Sequence, residues 1–383
     1  MGVVIIGGGQ AGFQTAASLR AEGYQEHITL IGDEAHIPYQ RPPLSKGYLI
    51  GKQEQRHAEL RPAPFYETQK IDLITGRRVT SIDRDARKVT LDSGERIAYD
   101  TLVLATGARN RVLPAEDVFY LRTLAEAAEL RQRLGAASEV VIVGGGFIGL
   151  EIAAAARTLG KRVSVIEANP RLMARVVAPV VSEYFRAQHT LQGVEVLLNA
   201  TVAGVERRPD LLMIAGIGVV PNIELAAEAG LPVGNGIMVD ENLRTPDERI
   251  FAIGDCAENP HPFSEARVRL ESVQNAVDHA ACVAKAIVGR GAPYGAVPWF
   301  WTDQYDIHLQ MAGLPTGFDQ VVVRGDPESR KFSVFYFLGG GLRAVDSINR
   351  PAEHLTARKL IGARAMLSPD QAGDESFDLK SVL

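Results

Sequence analysis

The chain has 383 residues, of which 46% are hydrophobic and 23% charged, proportions typical of a folded globular protein of two or three domains. Its 41 Lys and Arg residues against 46 Asp and Glu residues give a net charge of -5, which excludes a global positive field for nucleic acid or anionic lipid. The only two cysteines, Cys256 and Cys282, are too few for a disulfide framework, a cysteine-rich zinc site or an iron–sulfur cluster, and we expect no protein-bound metal.

The start of the chain shows neither a secretory signal nor a membrane helix. Met1 is followed almost at once by the strand-like run VVII, without a cationic region or a cleavage site. No apolar stretch approaches the roughly 20 residues that a membrane helix needs. We therefore expect a cytoplasmic protein without membrane or nucleic-acid partners.

One supersecondary unit occurs twice, as VVIIGGGQAGFQTAASLRAEG in residues 3–23 and as VVIVGGGFIGLEIAAAARTLG in residues 140–160. Each copy predicts an apolar strand, a G-x-G-x-x-G turn, an Ala-rich helix closed by Gly and a second strand, at residues 28–31 or 163–166. This βαβ pattern predicts an α/β fold with two Rossmann-like dinucleotide-binding domains built on parallel sheets.

The glycines of each turn have separate predicted roles. The first permits the tight turn, the second lets the backbone approach a pyrophosphate, and the third lets the helix pack on the strand. The phosphates would then lie at the positive end of the helix. The residues predicted to bind in this way are Gly7, Gly9 and Gly12 in the first turn, and Gly144, Gly146, Phe147, Ile148 and Gly149 in the second.

The acidic residues after the two repeats differ in position. Glu167 directly ends its strand, where a carboxylate binds the adenosine ribose and repels a 2′-phosphate, so the second site should prefer NAD(H), although Arg171 nearby weakens this inference. In the first repeat Gly32 takes the equivalent place, and Asp33 must reach the ribose from the start of the loop.

Two dinucleotide sites in one chain suggest a flavoprotein in which one nucleotide carries the flavin and the other delivers hydride. TLVLATGARN (residues 101–110) and LLMIAGIGVVPN (211–222) resemble the strand ends that close the FAD and NAD domains of such reductases. IFAIGDCAE (250–258) resembles the segment whose Asp, here Asp255, binds the ribityl chain or phosphates of the flavin.

Four further segments make the resemblance specific: PYQRPPLSKGYL (38–49), LRT (121–123), RVRLESVQNAVDHA (267–280) and PWFWTDQY (298–305). Together they resemble the ferredoxin/rubredoxin reductases of bacterial oxygenase systems, the putidaredoxin reductase family, over nearly the whole chain. The FAD contacts that this resemblance implies are Ala11, Asp33, Arg41, Pro43, Lys46, Val79, Ala105, Thr106, Gly107, Arg122, Gly254, Asp255, Ser272, Val273 and Trp301, and Gly218 joins the NAD-binding set.

The resemblance also implies roles for three residues in the reaction itself. Lys46 would stabilise charge gathering on the reduced flavin ring, and Glu151, at the start of the helix after the second glycine turn, would pair with it. Trp301 would lie beside the flavin. The helix beginning near Ser272 would point its positive end at the flavin N1–C2=O edge.

The reaction so implied passes hydride from NADH to FAD and then single electrons to a [2Fe–2S] ferredoxin that supplies a cytochrome P450 or another oxygenase. Pro42, Pro43 and Ser45 stand where disulfide reductases of this fold carry a redox-active pair, so we interpret Cys256 and Cys282 as small buried apolar residues. Two alternatives stay open: a rubredoxin reductase or NADH oxidase, and a redox-regulated interaction protein resembling apoptosis-inducing factor.

Docking of an acidic ferredoxin should be transient and partly electrostatic, on a chain that is a monomer or a weak dimer. The candidate docking cations, by analogy, are Arg267, Arg269, Arg350, Arg358 and Lys359.

The expected domains are a discontinuous FAD domain (1–114 and 223–297), an NAD domain (115–222) and a C-terminal α+β domain (298–383). The links at residues 113–118 and 205–216 are shorter than the family pattern. We expect either truncated loops or residues closed up by the numbering, and favour the second because residues 206–210 make a poor link between two paired strands.

Overall fold

A computed structural model describes residues 2–203 and 208–383 of the chain. In chain order the helices are α1 (Gln10–Ala21), α2 (Ala63–Thr68), α3 (Leu124–Ala136), α4 (Phe147–Thr158), α5 (Pro179–Leu191), α6 (Glu224–Glu228), α7 (Val273–Ile287), α8 (Pro351–Ala363) and α9 (Pro369–Gly373). The strands are β1 (Gly2–Ile6), β2 (His27–Ile31), β3 (Ile71–Ile74), β4 (Val79–Asp83), β5 (Lys88–Leu91), β6 (Arg96–Ala98), β7 (Thr101–Leu104), β8 (Ala108–Asn110), β9 (Val118–Phe119), β10 (Glu139–Val143), β11 (Arg162–Glu167), β12 (Val194–Leu198), β13 (Leu211–Ala215), β14 (Val219–Pro221), β15 (Ile237–Met238), β16 (Ile250–Ala252), β17 (Ala257–Glu258), β18 (Trp299–Gln304), β19 (Ile307–Gly313), β20 (Gln320–Asp326), β21 (Lys331–Leu338) and β22 (Gly341–Ile348).

These elements form two compact units, each built from separate pieces of the chain. Unit 1 comprises Met1–Gln40, Ala58–Arg109 and Val220–Ala296. Unit 2 comprises Arg41–His57, Asn110–Val219 and Val297–Leu383. The division into three domains with the boundaries given above stays a prediction.

Unit 1 is built on a parallel sheet in the order β16-β7-β1-β2-β3. Its central strand β1 carries only buried residues, and Val3 faces Ile28 on β2, as the β-branched pattern of the first repeat predicts. Helix α1 packs against α7, and β4, β5 and β6 form a separate antiparallel sheet.

Unit 2 combines a parallel sheet, in the order β12-β11-β10-β13-β9, with an antiparallel sheet in the order β18-β19-β22-β21-β20. The second repeat supplies β10, α4 and β11 to the parallel sheet. Helix α4 also packs against β18 of the antiparallel sheet. The two Rossmann-like repeats and the C-terminal antiparallel sheet confirm the predicted fold class.

The short link after β12 differs from its interpretation in the sequence. Residues 204–207 of that link lie outside the described residues. The flanking strands β12 and β13 are not neighbours in the sheet, because β11 and β10 lie between them. The reason we gave for favouring residues closed up by the numbering was therefore wrong, since the flanking strands are not paired.

A buried carboxyl lies inside the antiparallel sheet of unit 2. Asp346 is 1% exposed and accepts a hydrogen bond from the Tyr336 hydroxyl, which itself accepts one from the Ala178 backbone N–H at 2.8 Å. Burial raises the pKa of Asp346 to about 7, against the tyrosine hydrogen bond, which lowers it.

This carboxyl predicts a pH-dependent stability. Because folded Asp346 keeps its proton up to about pH 7 whereas the unfolded group loses it near 3.8, the free energy of unfolding should fall as pH rises between these values. We expect Asp346→Asn to gain roughly 2–3 kcal/mol relative to the unsubstituted protein between pH 5 and pH 8, measured by urea unfolding. The control is Asp319→Asn, an exposed carboxylate that accepts from the Gly339 N–H. A pH-independent difference for Asp346→Asn would contradict the prediction.

Among the helices of the described residues, none is long and apolar enough to cross a membrane.

Candidate active site

The first glycine turn is built for close backbone approach. Gly7 has φ +121°, and a Cβ there would lie 2.1 Å from the Ala105 carbonyl oxygen. A Cβ on Gly12 would lie 1.9 Å from the Gly7 carbonyl oxygen, so the helix can pack on the strand only without a side chain. A Cβ on Gly9 would meet nothing within 4 Å, and no described side chain caps α1. The open space at the helix N-terminus fits a pyrophosphate.

The second turn repeats this geometry in unit 2. Gly144 has φ +106°, and a Cβ on Gly149 would lie 2.1 Å from the Gly144 carbonyl oxygen. At Gly146 the nearest atom to a Cβ would be the Gly216 carbonyl oxygen, 3.8 Å away. Phe147 packs on Phe300 with ring centroids 4.9 Å apart, which holds the start of α4 in place. The positive φ of Gly144 and the close approach at Gly149 fit the turn and packing roles of the first and third glycines, and the pyrophosphate role of the second stays a prediction.

The first turn of α4 exposes an apolar side chain to solvent. Ile148 is 43% exposed, directly after the glycine turn. Gly218, which follows β13, has φ +95°, and a Cβ there would meet no atom of residues 2–203 and 208–383 within 4 Å. Both residues stay proposed NAD contacts.

Glu167 ends β11 as a buried carboxylate. It accepts a hydrogen bond from the Gly145 N–H of the glycine turn at 2.7 Å and from the Asn169 backbone N–H at 2.7 Å. Arg171, which weakened the expected NAD preference, instead donates to the Ala174 and Val177 carbonyl oxygens at 2.6 Å each. Its guanidinium is thereby engaged within the loop.

Asp33, the weaker acidic candidate, lies at the surface of unit 1. Its carboxylate pairs with Arg78 at 3.1 Å and its side chain is 57% exposed. The proposed ribose contact would have to compete with this ion pair, which is worth little in solvent.

The loop after Gln40 brings Lys46 to Glu151. Pro42–Ser45 forms a 3₁₀ turn in which Ser45 is buried, and the Lys46 ammonium lies 2.8 Å from Glu151 Oε1. Ser45 donates to Glu151 Oε2 at 2.5 Å, and Thr302 on β18 donates to Glu151 Oε1 at 2.7 Å. The structure thus forms the lysine–carboxylate pair that the family resemblance implied.

The position of Glu151 corrects one detail of the sequence interpretation. Helix α4 begins at Phe147 and has no acidic residue in its first turn, so Glu151 lies in the second turn. The residue is 4% exposed, and its carboxylate is stabilised by three side-chain donors rather than by the helix dipole.

The predicted flavin contacts of the TGARN segment lie at the end of β7 in unit 1. Ala105 is buried, Gly107 has φ +66°, and the Thr106 hydroxyl donates to the Asn222 carbonyl oxygen at 2.7 Å. In return, the Asn222 side-chain amide donates to the Thr106 carbonyl oxygen at 2.8 Å. Asn222, the last residue of the motif at 211–222, therefore holds the turn at Thr106 in the motif at 101–110. Neither motif alone predicts this contact.

Asp255 lies in a short 3₁₀ turn directly after β16. Gly254 has φ +70°, and its N–H donates to Nδ1 of His279 on α7 at 3.2 Å. Burial lowers the pKa of His279 to about 3, so the ring stays neutral and can accept this bond. Sequence analysis did not find His279, because a lone histidine in a helical pattern carries no motif.

Helix α7 begins as predicted, with Ser272 as its N-cap and Val273 as its first residue. The Ser272 hydroxyl accepts from the Asn275 N–H at 3.0 Å. The positive end of this 15-residue helix is the feature that we propose faces the flavin.

Three other predicted contacts have structural partners. Arg41 donates to the Arg122 carbonyl oxygen, and Val79 is buried at the start of β4. The LRT segment begins α3, where Thr123 and Glu126 form a capping box. The T-x-x-E spacing in the sequence could have shown this helix start.

The remaining predicted FAD contacts occupy defined positions. Ala11 is buried in the first turn of α1, and Pro43 lies in the 3₁₀ turn before Lys46. Trp301 is half-buried on β18, where its ring lies 5.5 Å from that of Trp299.

The cysteines differ in burial. Both are free, and Cys256 is buried, but Cys282 is only half-buried, which corrects its interpretation as a buried apolar residue. Burial raises the pKa of each thiol, so neither has the low pKa of a reactive cysteine.

Three of the candidate docking cations are already engaged. Arg267 donates to the Glu258 carbonyl oxygen at 2.5 Å, and Arg269 pairs with Glu271 at 2.7 Å with its side chain 9% exposed. Arg350 pairs with Glu353 and Glu375. Arg358 lies over the Trp299 ring, 5.0 Å from its centroid. All five cations, Lys359 included, stay proposed docking residues.

The chain is similar to known proteins over its whole length. A family model described as pyridine nucleotide-disulphide oxidoreductase matches residues 1–280, and one described as Reductase C-terminal matches residues 299–383. Rhodocoxin reductase of Rhodococcus erythropolis is 51% identical over 403 residues, covering 100% of this chain and 94% of that protein. This alignment is longer than the 383-residue chain, in line with the shorter links noted in the sequence.

Two solved structures are also similar to the chain over nearly its whole length. The ferredoxin reductase for the CYP199A2 system of Rhodopseudomonas palustris has a TM-score of 0.96 and 47% identity, covering 99% of this chain and 98% of that one. The reductase in a covalent putidaredoxin reductase–putidaredoxin complex has a TM-score of 0.96 and 41% identity, covering 100% and 97%.

Proposed function

The chain belongs to the pyridine nucleotide-disulphide oxidoreductase family and is an oxidoreductase that uses FAD and NAD(H), and we propose that it is an NADH-dependent reductase of a [2Fe–2S] ferredoxin. The observation that carries this proposal is the Lys46–Glu151 pair beside a Pro42–Ser45 turn that has no cysteine. A disulfide reductase needs a redox-active cysteine pair at that turn, whereas a reductase that passes electrons to an external carrier does not.

The residues of the chain bind and orient the coenzymes, which supply the hydride and electron chemistry when bound. The two glycine turns offer backbone N–H groups to the pyrophosphates. Lys46 places a positive charge where negative charge would gather on the reduced ring, and Glu151 holds that ammonium. No residue is required as a nucleophile.

Glu167 supports a preference for NADH over NADPH. Its buried carboxylate ends β11 beside the glycine turn, where it would accept the ribose hydroxyls of NADH and would repel a 2′-phosphate. Arg171, which could have neutralised a phosphate, is bonded to carbonyl oxygens of its own loop.

Glu167→Gln is expected to lower the ratio of kcat/KM for NADH to that for NADPH by roughly 10- to 100-fold, because it removes a hydrogen bond to a charged group and the repulsion of phosphate. The glutamine oxygen can still accept from the Gly145 N–H, which should keep the glycine turn, while the bonds from the Asn169 backbone and side chain are lost. Steady-state kinetics with ferricyanide as acceptor measures the ratio. The control is Glu195→Gln on the neighbouring strand β12, an exposed residue that accepts from Ser164. An unchanged ratio in Glu167→Gln would refute the assignment.

The acceptor is tested by anaerobic stopped-flow mixing of NADH-reduced protein with putidaredoxin, a rubredoxin or dissolved oxygen. We expect the [2Fe–2S] ferredoxin to be reduced fastest, and its reduction to slow as ionic strength rises. Faster reduction of rubredoxin or oxygen would overturn the proposed acceptor. Slow NADH oxidation with redox-dependent dimerisation would instead indicate an interaction protein.

A further inference from the structure

A row of buried polar side chains leads away from Glu151 within unit 2. Thr302 donates to Glu151 Oε1 at 2.7 Å, and the Gln304 side-chain amide donates to the Thr302 hydroxyl oxygen at 3.3 Å. Gln304 Oε1 lies 2.8 Å from His189 Nε2, and the Tyr305 hydroxyl lies 3.2 Å from His189 Nδ1. The row joins β18 to helix α5 on one side and to α4 on the other.

The direction of every hydrogen bond in this row follows from Glu151. A carboxylate only accepts, so the single hydroxyl hydrogen of Thr302 points at it, and Gln304 must give Thr302 its NH₂ group. Gln304 Oε1 therefore faces His189, which must carry its hydrogen on Nε2 and accept the Tyr305 hydroxyl on Nδ1. Each donor points toward the carboxylate, and such aligned bonds polarise one another.

Because the row is buried, it is energetically unfavourable unless every polar group in it forms a hydrogen bond. Thr302, Gln304 and His189 each have 0% exposure, and an unpaired polar group at such a depth is strongly unfavourable. Burial also lowers the pKa of His189, which keeps the ring neutral as the row requires. Thr302 and Gln304 alternate along β18 and so lie on the same face of the strand.

We propose that Thr302, Gln304 and His189 are positioning residues that hold the Glu151 carboxylate, and through it the Lys46 ammonium, in the geometry used for flavin reduction by NADH. The inference rests on the proposed function for the role of Lys46. Oε1 of Glu151 receives both Thr302 and Lys46, so loss of the threonine hydrogen bond would free this oxygen to move and would loosen the ammonium.

The first test compares three threonine substitutions. Thr302→Val should lower the rate of flavin reduction at saturating NADH roughly tenfold, as expected for losing one hydrogen bond to a charged group, with the dissociation constant for NADH changed less than about twofold. Thr302→Ser, which keeps the hydroxyl, should restore most of the rate. The matched control is Thr356→Val on α8, a buried threonine whose hydroxyl donates to the Ala352 carbonyl oxygen at 3.0 Å.

A second variant tests the row beyond its first link. Gln304→Leu does not touch Glu151, yet it should lower the rate of flavin reduction by several-fold because Thr302 loses its donor. In both Thr302→Val and Gln304→Leu, acylation of Lys46, followed by peptide mass spectrometry, should be faster than in the unsubstituted protein, since the nitrogen reacts only after it leaves the carboxylate and loses a proton. Thr356→Val should leave this rate unchanged.

The outcomes separate the two proposals. If Thr302→Val and Gln304→Leu change stability alone, with flavin reduction and Lys46 acylation as in Thr356→Val, the row is a packing feature and the inference is overturned. If the unsubstituted protein fails to reduce ferredoxin, the proposed function fails, while flavin reduction by NADH and Lys46 acylation still decide the inference.

Discussion

Glu151→Ala should slow the reduction of bound FAD by NADH roughly 100-fold, the largest kinetic effect that we expect from a single side chain. The substitution leaves the Lys46 ammonium without its partner at 2.8 Å and leaves the Ser45 and Thr302 hydroxyls without their acceptor. Anaerobic stopped-flow absorbance of the flavin measures the rate. The free energy of unfolding should also fall, by about 1–3 kcal/mol, less than for a fully buried pair because the Lys46 side chain is 23% exposed.

The control for this variant is Glu129→Ala on α3, which removes an exposed carboxylate paired with Arg133 at 2.8 Å in the same unit. Exposed pairs of this kind contribute little, so its rate and stability should match those of the unsubstituted protein. A Glu151→Ala protein that is reduced by NADH at the unsubstituted rate would rule out the proposed role of the Lys46–Glu151 pair.

Gly12→Ala should give a protein that is destabilised by about 3 kcal/mol or more and purifies without bound flavin. The added Cβ would lie 1.9 Å from the Gly7 carbonyl oxygen, so α1 must move away from the strand that precedes it. Thermal unfolding and the flavin absorbance of the purified protein measure the two effects.

Gly9→Ala separates folding from binding in the same turn. Gly9 has φ -84°, which alanine can adopt, and an added Cβ would meet none of the described protein atoms within 4 Å. The apoprotein should therefore unfold at the same temperature as the unsubstituted apoprotein, while its affinity for FAD falls at least about tenfold because the methyl group occupies the proposed pyrophosphate space. Full FAD affinity in Gly9→Ala would place the pyrophosphate elsewhere.

The parts of the fold that the sequence predicts are those fixed by local rules. The two repeats specify strand, turn and helix because a side chain on Gly12 or Gly149 would overlap the backbone of the turn itself. The Lys46–Glu151 pair could be expected only from the resemblance, since 105 residues separate its members and no local pattern links them. Its burial and its additional donors came from the structure.

The features that the sequence does not predict depend on contacts between segments that are far apart in the chain. His189 and Gln304 lie 115 residues apart in the chain, and each alone is an ordinary polar residue in an amphipathic element. Arg267 and Arg269 were interpreted as surface charges, but their partners are a carbonyl oxygen on β17 and a nearby carboxylate. Which charges remain free for a partner is decided by tertiary packing, which composition and spacing do not report.

The paired prolines of the 3₁₀ turn have a thermodynamic consequence for the loop that carries Lys46. Their rings lock φ at two successive residues, Pro42 and Pro43, and Leu44 and Ser45 after them are buried. Little backbone entropy remains to be lost when a coenzyme arrives, so the ammonium is preorganised rather than recruited by closure of a mobile lid. A reductase arranged in this way can keep its electrostatic environment unchanged while its successive nucleotide and protein partners come and go.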